Sequence, residues 1–243
     1  MLTTDLDALT GTRVLKTLGL WLVMAVAVCV ASWYGLYWLM PSWRETATPT
    51  LVLVAEAYAL LPIAAAIVFN GVGSLARAVR FTPTSGRYIL IAVGVWAGML
   101  CVLFGLYTAF GALSGSLWNP VIDFVRHASD MSRLATATPI DWALIVIRAV
   151  ALAGLTEELL FRGLLFGWLR TRLGFAATIL VTSVLFALMH YFVILAPGVF
   201  LYSLVAGWLR ELSGSVLPAL VMHILTDTAM LVAATVLVAN HIS

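Results

Sequence analysis

The sequence has few charged residues and only two cysteines, and both shortages restrict what the protein can be. Charged side chains make up 10% of its 243 residues and hydrophobic ones 63%, against about 25% and roughly 45–50% in soluble globular proteins. A soluble domain could not bury that much apolar surface, and a disordered or nucleic-acid-binding chain carries many more charges. The composition therefore predicts a membrane protein that contacts lipids and has no nucleic-acid partner.

The cysteines exclude two further classes of protein. Cys29 and Cys101 both lie inside apolar runs, where a reduced and buried thiol is expected. The sequence has neither a disulfide framework nor cysteine and histidine spacing of the zinc-finger type. Secreted disulfide scaffolds and structural zinc modules are thus excluded.

Long apolar runs are what the sequence has in abundance. A membrane-spanning helix needs about 20 mainly apolar residues, and seven runs qualify or come close. The fold class predicted from them is all-α: a polytopic transmembrane helix bundle of seven to eight spans. The eighth would be a re-entrant piece in the polar stretch from Leu117 to Pro139, which otherwise predicts an interfacial helix or loop. The seven runs are Leu18–Met40, Thr50–Phe69, Tyr88–Gly111, Asp141–Arg172, Gly174–Leu195, Val199–Leu212 and Val216–Ala239.

The distribution of positive charge predicts an orientation. With the N-terminus in the cytoplasm, the cytoplasmic side has the larger number of basic side chains, as the positive-inside rule expects. We therefore predict a multi-pass protein of the cell inner or plasma membrane. The cytoplasmic set would be Arg13, Lys16, Arg77, Arg80, Arg87, Arg170, Arg172 and Arg210, and the opposite set Arg44, Arg126 and Arg133.

A few ionisable residues lie inside the apolar runs, where they are unexpected. Each costs on the order of 2.5–3.5 kcal/mol at the centre of a span, so such residues are functional candidates by default. Most of them belong to the fourth, fifth and seventh runs, which suggests that they meet in one polar cavity. The set is Glu56, Arg148, Glu157, Glu158, Arg162, His190, His223 and Asp227.

The spacing around the adjacent glutamates assigns them different roles. Glu158 and Arg162 are four residues apart and share a helix face, so an internal ion pair is expected there. Glu157 lies about 100° further round the helix and is outside that pair. Carboxylates in two environments acquire different proton affinities. We predict that Glu158 is structural and that Glu157 is a general base.

Two more pairs have the same four-residue spacing. Phe186 precedes His190 by four residues, so its ring can pack on the imidazole. His223 precedes Asp227 by four, and the carboxylate can accept a hydrogen bond from one imidazole nitrogen. A carboxylate base, a second proton acceptor and polar donors would together suffice to activate water against a carbonyl.

Other features predict structure rather than chemistry. Glu56 and Arg148 are interpreted as structural groups that can pair with each other. The spacings Gly94/Gly98 and Gly163/Gly167 permit close approach of helices.

Three of these patterns together resemble the CPBP family of CAAX proteases and bacteriocin-processing enzymes, the Rce1/Abi group. Residues 157–162 match EExxxR, residues 186–190 match FxxxH and residues 223–227 match HxxxN/D. Each motif is weak alone, but the ordered triple in a polytopic chain is specific. The resemblance divides the single bundle into N-terminal helices with a polar connector, residues 1–139, and a catalytic core, residues 140–243.

The resemblance implies a glutamate-dependent intramembrane endopeptidase that uses no metal or other cofactor. Glu157 would be the general base on water, assisted by His190. His223 and Asp227 would form the oxyanion side, with Glu158, Arg162 and Phe186 supporting them. The prenyl proteases that the chain resembles have Asn at the last motif position, where this chain has Asp227. The resemblance therefore implies that Asp227 is either protonated or orients His223. The substrate would be a membrane-associated or lipidated peptide or protein.

Two other functions are compatible with the same polar residues. A zinc metalloprotease could use the two histidines and the acids as ligands, although HExxH is absent and Arg162 would oppose a cation. An immunity, transport or scaffold protein could use the cluster to hold its helices together, although the inverted repeats of many transporters are not visible.

Overall fold

The structure is a computed structural model that describes residues 9–39, 48–114, 138–190 and 196–242. All regular structure in these ranges is helical, which confirms the predicted all-α class. In chain order the helices are α1 (Gly11–Leu39), α2 (Thr48–Val68), α3 (Val72–Ala78), α4 (Gly86–Ser114), α5 (Pro139–Val146), α6 (Ala153–Glu158), α7 (Phe166–Arg170), α8 (Phe175–Met189), α9 (Ala196–Ser213) and α10 (Leu217–Ile242). The polar stretch predicted before Pro139 lies, up to residue 137, outside the described residues.

The helices form two compact units. The first comprises Met1–Thr82 and Thr136–Leu173, and the second comprises Pro83–Ala135 and Gly174–Ser243. Each unit therefore takes one part from either half of the sequence.

In the first unit, α2 is the central element. It packs against α1 and also against the helical segments from Pro139 to Glu158. Its end is set by the Asn70-Gly71 break, where both residues have positive φ angles of 59° and 115°. Glycine tolerates this region best and asparagine is enriched there. The chain then turns by 92° into α3, a short helix that the apolar pattern did not predict.

The segment from Pro139 to Arg170 is one continuous helix of mixed type. Two π-helical stretches, Ile147–Leu152 and Leu159–Leu165, join α5, α6 and α7, and the junction residues keep right-handed helical angles. The predicted unbroken run from about Asp141 is thus confirmed to Arg170. π-Helical turns are rare and are frequent at functional sites. Here they flank the six residues that carry both glutamates.

The second unit contains four long helices. α9 packs against α8 and α10, and α4 packs against α9 and α10. Gly214 lies in the turn between α9 and α10, with a φ of 67°. The fifth apolar run was predicted to reach Leu195, but α8 ends at Met189. α9 begins at Ala196 and contains Pro197 in its first turn, where proline loses no intrahelical hydrogen bond. Cys101 is exposed rather than buried, and neither cysteine forms a disulfide.

The apolar helices give a direct membrane signal in only part of the described chain. Gly11–Gly35 is long and apolar enough to cross a membrane, and the bent pair Glu56–Val68 and Val72–Ala78 can be a second such span. Three further apolar stretches are shorter: Gly86–Val102, Phe175–Met189 and Leu217–Ala233. Seven or eight spans therefore remain a prediction.

The two glycine pairs differ in their surroundings. A Cβ added at Gly163 would lie 3.0 Å from Cβ of Val79, and one at Gly167 would lie 2.5 Å from a methyl of Leu9. Gly94 and Gly98 have nothing within 4 Å among the described atoms. Close helix approach is thus found at the second predicted pair and not at the first.

We expect Gly163→Ala to lower the free energy of unfolding by about 1–3 kcal/mol, the usual cost of overpacking. Val79 cannot yield easily, because its Cβ is bonded directly to the backbone. Gly94→Ala is the matched control and should be neutral or stabilising by up to about 1 kcal/mol, since alanine favours helix. Denaturant titration in detergent measures both variants, and equal effects would contradict the assignment.

Candidate active site

The second glutamate forms a buried ion pair. Arg162 Nη1 lies 3.0 Å from Glu158 Oε1, and the two side chains are 1% and 0% exposed. The predicted pair is therefore present, although Arg162 lies in a π-helical stretch. A guanidinium beside the carboxylate stabilises its ionised form and fixes its direction. Glu158 is thus a structural anchor of this helix.

The first glutamate has a different partner, which comes from α2. Tyr58 donates its hydroxyl hydrogen bond to Glu157 Oε1 over 2.9 Å, and Glu157 is 8% exposed. Thr156 donates from Oγ1 to the backbone carbonyl of Tyr58 over 2.8 Å. The adjacent glutamates therefore occupy different environments, as the spacing predicted, with arginine on one and a phenol on the other.

In the second unit, a hydrogen bond from the ring of His190 to a backbone carbonyl determines the tautomer of this histidine. Its Nδ1 lies 2.8 Å from the carbonyl oxygen of Phe186. A carbonyl only accepts, so Nδ1 carries the proton and the lone pair of the neutral ring is on Nε2. The Phe186 ring also packs on the imidazole, with centroids 4.6 Å apart. The predicted contact between these residues is present, with a backbone component that the spacing did not indicate.

His223 also contacts the ring of Phe186. Its ring centroid is 6.2 Å from that of Phe186 and 5.5 Å from that of Tyr202, both in edge-on geometry. Its Nε2 is 3.4 Å from Oδ2 of Asp227, longer than a charge-assisted hydrogen bond of about 2.7–2.9 Å. Phe186, Tyr202 and His223 are buried. The unit thus brings His190 and His223 against the Phe186 ring, with Asp227 beside His223.

The other ionisable residues of the apolar runs differ from expectation. Glu56 Oε1 accepts from Ser32 Oγ over 2.8 Å, and within the described residues it makes no ion pair with Arg148. Glu56 Oε2 and Arg148 Nε are buried without a hydrogen-bond partner there. Arg210, predicted on the cytoplasmic side, is buried and only 4% exposed.

Within the residues that the structure describes, no three His, Cys, Asp or Glu side chains are grouped as metal ligands would be.

Sequence reasoning missed Tyr58, Thr156 and Tyr202. Tyr58 lies 99 residues before the glutamate that it contacts, so no local spacing connects them. One signal was nevertheless available. Pro62 lies within α2, and a helical proline leaves the carbonyl four residues earlier without its usual N–H donor. That carbonyl belongs to Tyr58.

We expect Arg162→Met to lower the free energy of unfolding by about 3–5 kcal/mol, because it leaves a buried carboxylate without its guanidinium. Adding Glu158→Met should restore much of the loss, since replacing a whole buried pair by apolar groups is often neutral. Unfolding titrations of wild type, both single variants and the double variant give the comparison. A double variant no more stable than Arg162→Met would contradict the pairing.

Comparison with known proteins identifies part of the chain. Residues 139–229 match the family model for type II CAAX prenyl endopeptidases of the Rce1-like kind. No curated protein and no solved structure matches the chain. The matched segment contains all three motifs, and together with the apolar helices it indicates a membrane-embedded peptide hydrolase. Tyr58 and α2 lie outside the match. The segment from 139 to 229 is therefore similar to the Rce1-like domain of type II CAAX prenyl endopeptidases.

Proposed function

We propose that this chain is a metal-independent intramembrane endopeptidase that hydrolyses a peptide bond of a membrane-associated or lipidated substrate with water activated by Glu157. One observation supports this best. The Rce1-like segment contains two adjacent buried glutamates, of which Glu158 pairs with Arg162 and Glu157 accepts a hydrogen bond from the Tyr58 phenol. Adjacent carboxylates in different surroundings are the arrangement in which one is structural and the other can serve as a base.

In this mechanism, Glu157 removes a proton from water as the oxygen attacks the scissile carbonyl. The proton is then transferred to the departing amine, and the carboxylate is regenerated. A positioned general base contributes typically about 10²–10⁴-fold to the rate. The hydrogen bond from Tyr58 occupies Oε1 on one side, which keeps the carboxylate in one orientation.

His190 assists by accepting the second hydrogen of the attacking water. Its Nδ1 donates to the backbone carbonyl of Phe186, so the lone pair that can accept a proton is on Nε2. The backbone bond and the ring contact with Phe186 together fix the direction of that lone pair. A fixed acceptor loses no rate to reorientation during the reaction.

His223 supplies the oxyanion side, and Asp227 orients it. The Asp227 carboxylate oxygen lies 3.4 Å from Nε2 of the imidazole, where it can orient the ring. An ionised Asp227 would repel a developing oxyanion, so donation by the imidazole is the favourable arrangement. Buried aromatic edges from Phe186 and Tyr202 hold the ring in place. Preorganised donors of this kind act most strongly in sites that exclude water.

The protein is proposed to be multi-pass, with seven to eight spans and a cytoplasmic N-terminus. Helices α4 and α10 have 29 and 26 residues, or about 43 and 39 Å at 1.5 Å per residue. Both exceed the apolar thickness of about 30 Å. His223 and Asp227 lie on α10, so the proposed site would meet substrates that already lie in the bilayer, and a lipidated or helical peptide fits this.

We expect Glu157→Gln to lower kcat more than about 100-fold and His190→Ala to lower it by a smaller factor. The assay uses purified protein in liposomes with a quenched fluorescent peptide that carries a farnesylated C-terminal CAAX sequence. The same peptide without the farnesyl group tests whether the lipid is needed. Processing that survives both substitutions at normal protein levels would remove the catalytic claim.

The double variant Glu157→Gln/His190→Ala shows whether the two residues act in one step of the reaction or in two independent steps. If Glu157 and His190 act on the same water, the losses are strongly non-additive. Chelator treatment belongs to the same experiment. Activity lost with chelator and restored by zinc would contradict the metal-independent mechanism.

The oxyanion side gives a second comparison. We expect His223→Ala to lower kcat about 100- to 1,000-fold, as removal of an oxyanion donor does. Asp227→Asn should cost much less, because an amide can still hold the imidazole. The same peptide assay measures both, and Asp227→Asn as damaging as His223→Ala would contradict an orienting role.

A further inference from the structure

Tyr58 makes two hydrogen bonds to two consecutive residues of the helix that bears the glutamates. Its hydroxyl donates to Glu157 Oε1 over 2.9 Å, and its backbone carbonyl accepts from Thr156 Oγ1 over 2.8 Å. The contacts are made within the first unit, between α2 and α6. Tyr58 of α2 is thus bonded through its backbone carbonyl to the Thr156 side chain and through its hydroxyl to the carboxylate of Glu157.

The carbonyl in this arrangement is a special one. In an α-helix, the carbonyl of Tyr58 would accept from the N–H of the residue four positions later. That residue is Pro62, which has no N–H and whose ring also displaces the carbonyl outward. In membrane helices, serine and threonine hydroxyls commonly satisfy carbonyls left by proline. Thr156 does so here.

We propose that Tyr58 is a positioning residue for Glu157, and that Pro62 and Thr156 hold it in register through the Tyr58 carbonyl. This inference rests on the proposed function, in which Glu157 is the general base. Three residues, Tyr58, Pro62 and Thr156, would then hold Glu157 in position. Tyr58 and Pro62 lie outside the Rce1-like segment.

The positioning effect follows from the geometry of the glutamate side chain. A glutamate side chain has three rotatable bonds, and burial alone does not select one orientation of its carboxylate. A phenol bonded to Oε1 does select one, and it is itself anchored to the residue that precedes Glu157. Misplacement of a reacting group by about 1 Å can cost on the order of 100-fold in rate. The phenol touches the base rather than the substrate, so its effect should fall on kcat.

The surroundings of α2 strengthen this anchor. Trp21 of α1 donates from Nε1 to the carbonyl of Ala57 over 2.8 Å, one residue before Tyr58. The backbone of α2 is therefore bonded on both sides at this level, to α1 and to α6. A rigid support is what a precisely placed catalytic group needs from its neighbours.

The first test removes one oxygen atom. Tyr58→Phe should lower kcat about tenfold with KM within about twofold, since a partly misplaced base loses part of the roughly 100-fold range above. Tyr34→Phe, on the exposed surface of α1, removes the same atom and should leave both constants unchanged. The farnesylated peptide in liposomes is the probe. A kcat for Tyr58→Phe within twofold of wild type would overturn the proposal.

A double-mutant cycle tests whether Tyr58 acts through the glutamate. Glu157→Asp shortens the side chain by one methylene, so the phenol can no longer reach the carboxylate. Tyr58→Phe should therefore cost much less in that background than in wild type. Equal costs in the two backgrounds would show that Tyr58 acts elsewhere.

The hydrogen bond from Thr156 to the Tyr58 carbonyl can be tested without any substrate. Thr156→Val should lower the midpoint of thermal unfolding, and Thr156→Ser, which keeps the hydroxyl, should preserve it. In a Pro62→Ala background the helix regains its own donor to the Tyr58 carbonyl, so Thr156→Val should cost less there. An identical cost with and without Pro62 would contradict the role of the proline.

The outcomes also separate this inference from the proposed function. Activity that survives Glu157→Gln would remove the proposed function, whatever Tyr58 does. Activity abolished by Glu157→Gln but unaffected by Tyr58→Phe would leave the function and remove the positioning role.

Discussion

The structure of the candidate site depends on the cost of placing a charge in an apolar medium. Glu158 and Arg162 are almost completely buried, and neither could remain charged there alone at an acceptable cost. The ion pair permits both to stay. The neighbouring carboxylate has different surroundings, because Glu157 accepts a hydrogen bond from the Tyr58 phenol whereas Glu158 pairs with Arg162. That difference between adjacent carboxylates is what makes Glu157 a candidate base.

The local parts of this arrangement were predictable from sequence, because helix geometry alone determines them. Residues four apart meet on a helix, and the contacts Glu158–Arg162, Phe186–His190 and His223–Asp227 all have that spacing. The π-helical stretches did not disrupt the first of them. The long apolar runs likewise predicted most helices to within a few residues.

The remaining parts could not be predicted from local patterns. The bond from Tyr58 to Glu157 spans 99 residues, and the apolar sequence of α2 does not indicate which of its faces meets another helix. The pairing of Glu56 with Arg148 is likewise not found within the described residues, where Glu56 Oε1 accepts from the Ser32 hydroxyl, and no local spacing relates residues of different helices. The start of α9 before Val199 was also not evident from the apolar runs, because a proline such as Pro197 can follow the end of one helix or stand in the first turn of the next.

A proline that removes a hydrogen bond from one helix can also free a carbonyl that bonds a neighbouring helix. Pro62 weakens α2 at Tyr58, yet the carbonyl it leaves is where Thr156 attaches the helix of the glutamates. The hydrogen bond from His190 Nδ1 to the Phe186 carbonyl is comparable. That carbonyl lies near the end of α8, where the backbone N–H of His190 bonds the carbonyl of Ala187 instead. In both units a backbone oxygen without its ordinary helical partner fixes a candidate catalytic residue or its support. Membrane helices have few polar side chains with which to position a reactive group, so carbonyls of this kind are the natural substitute.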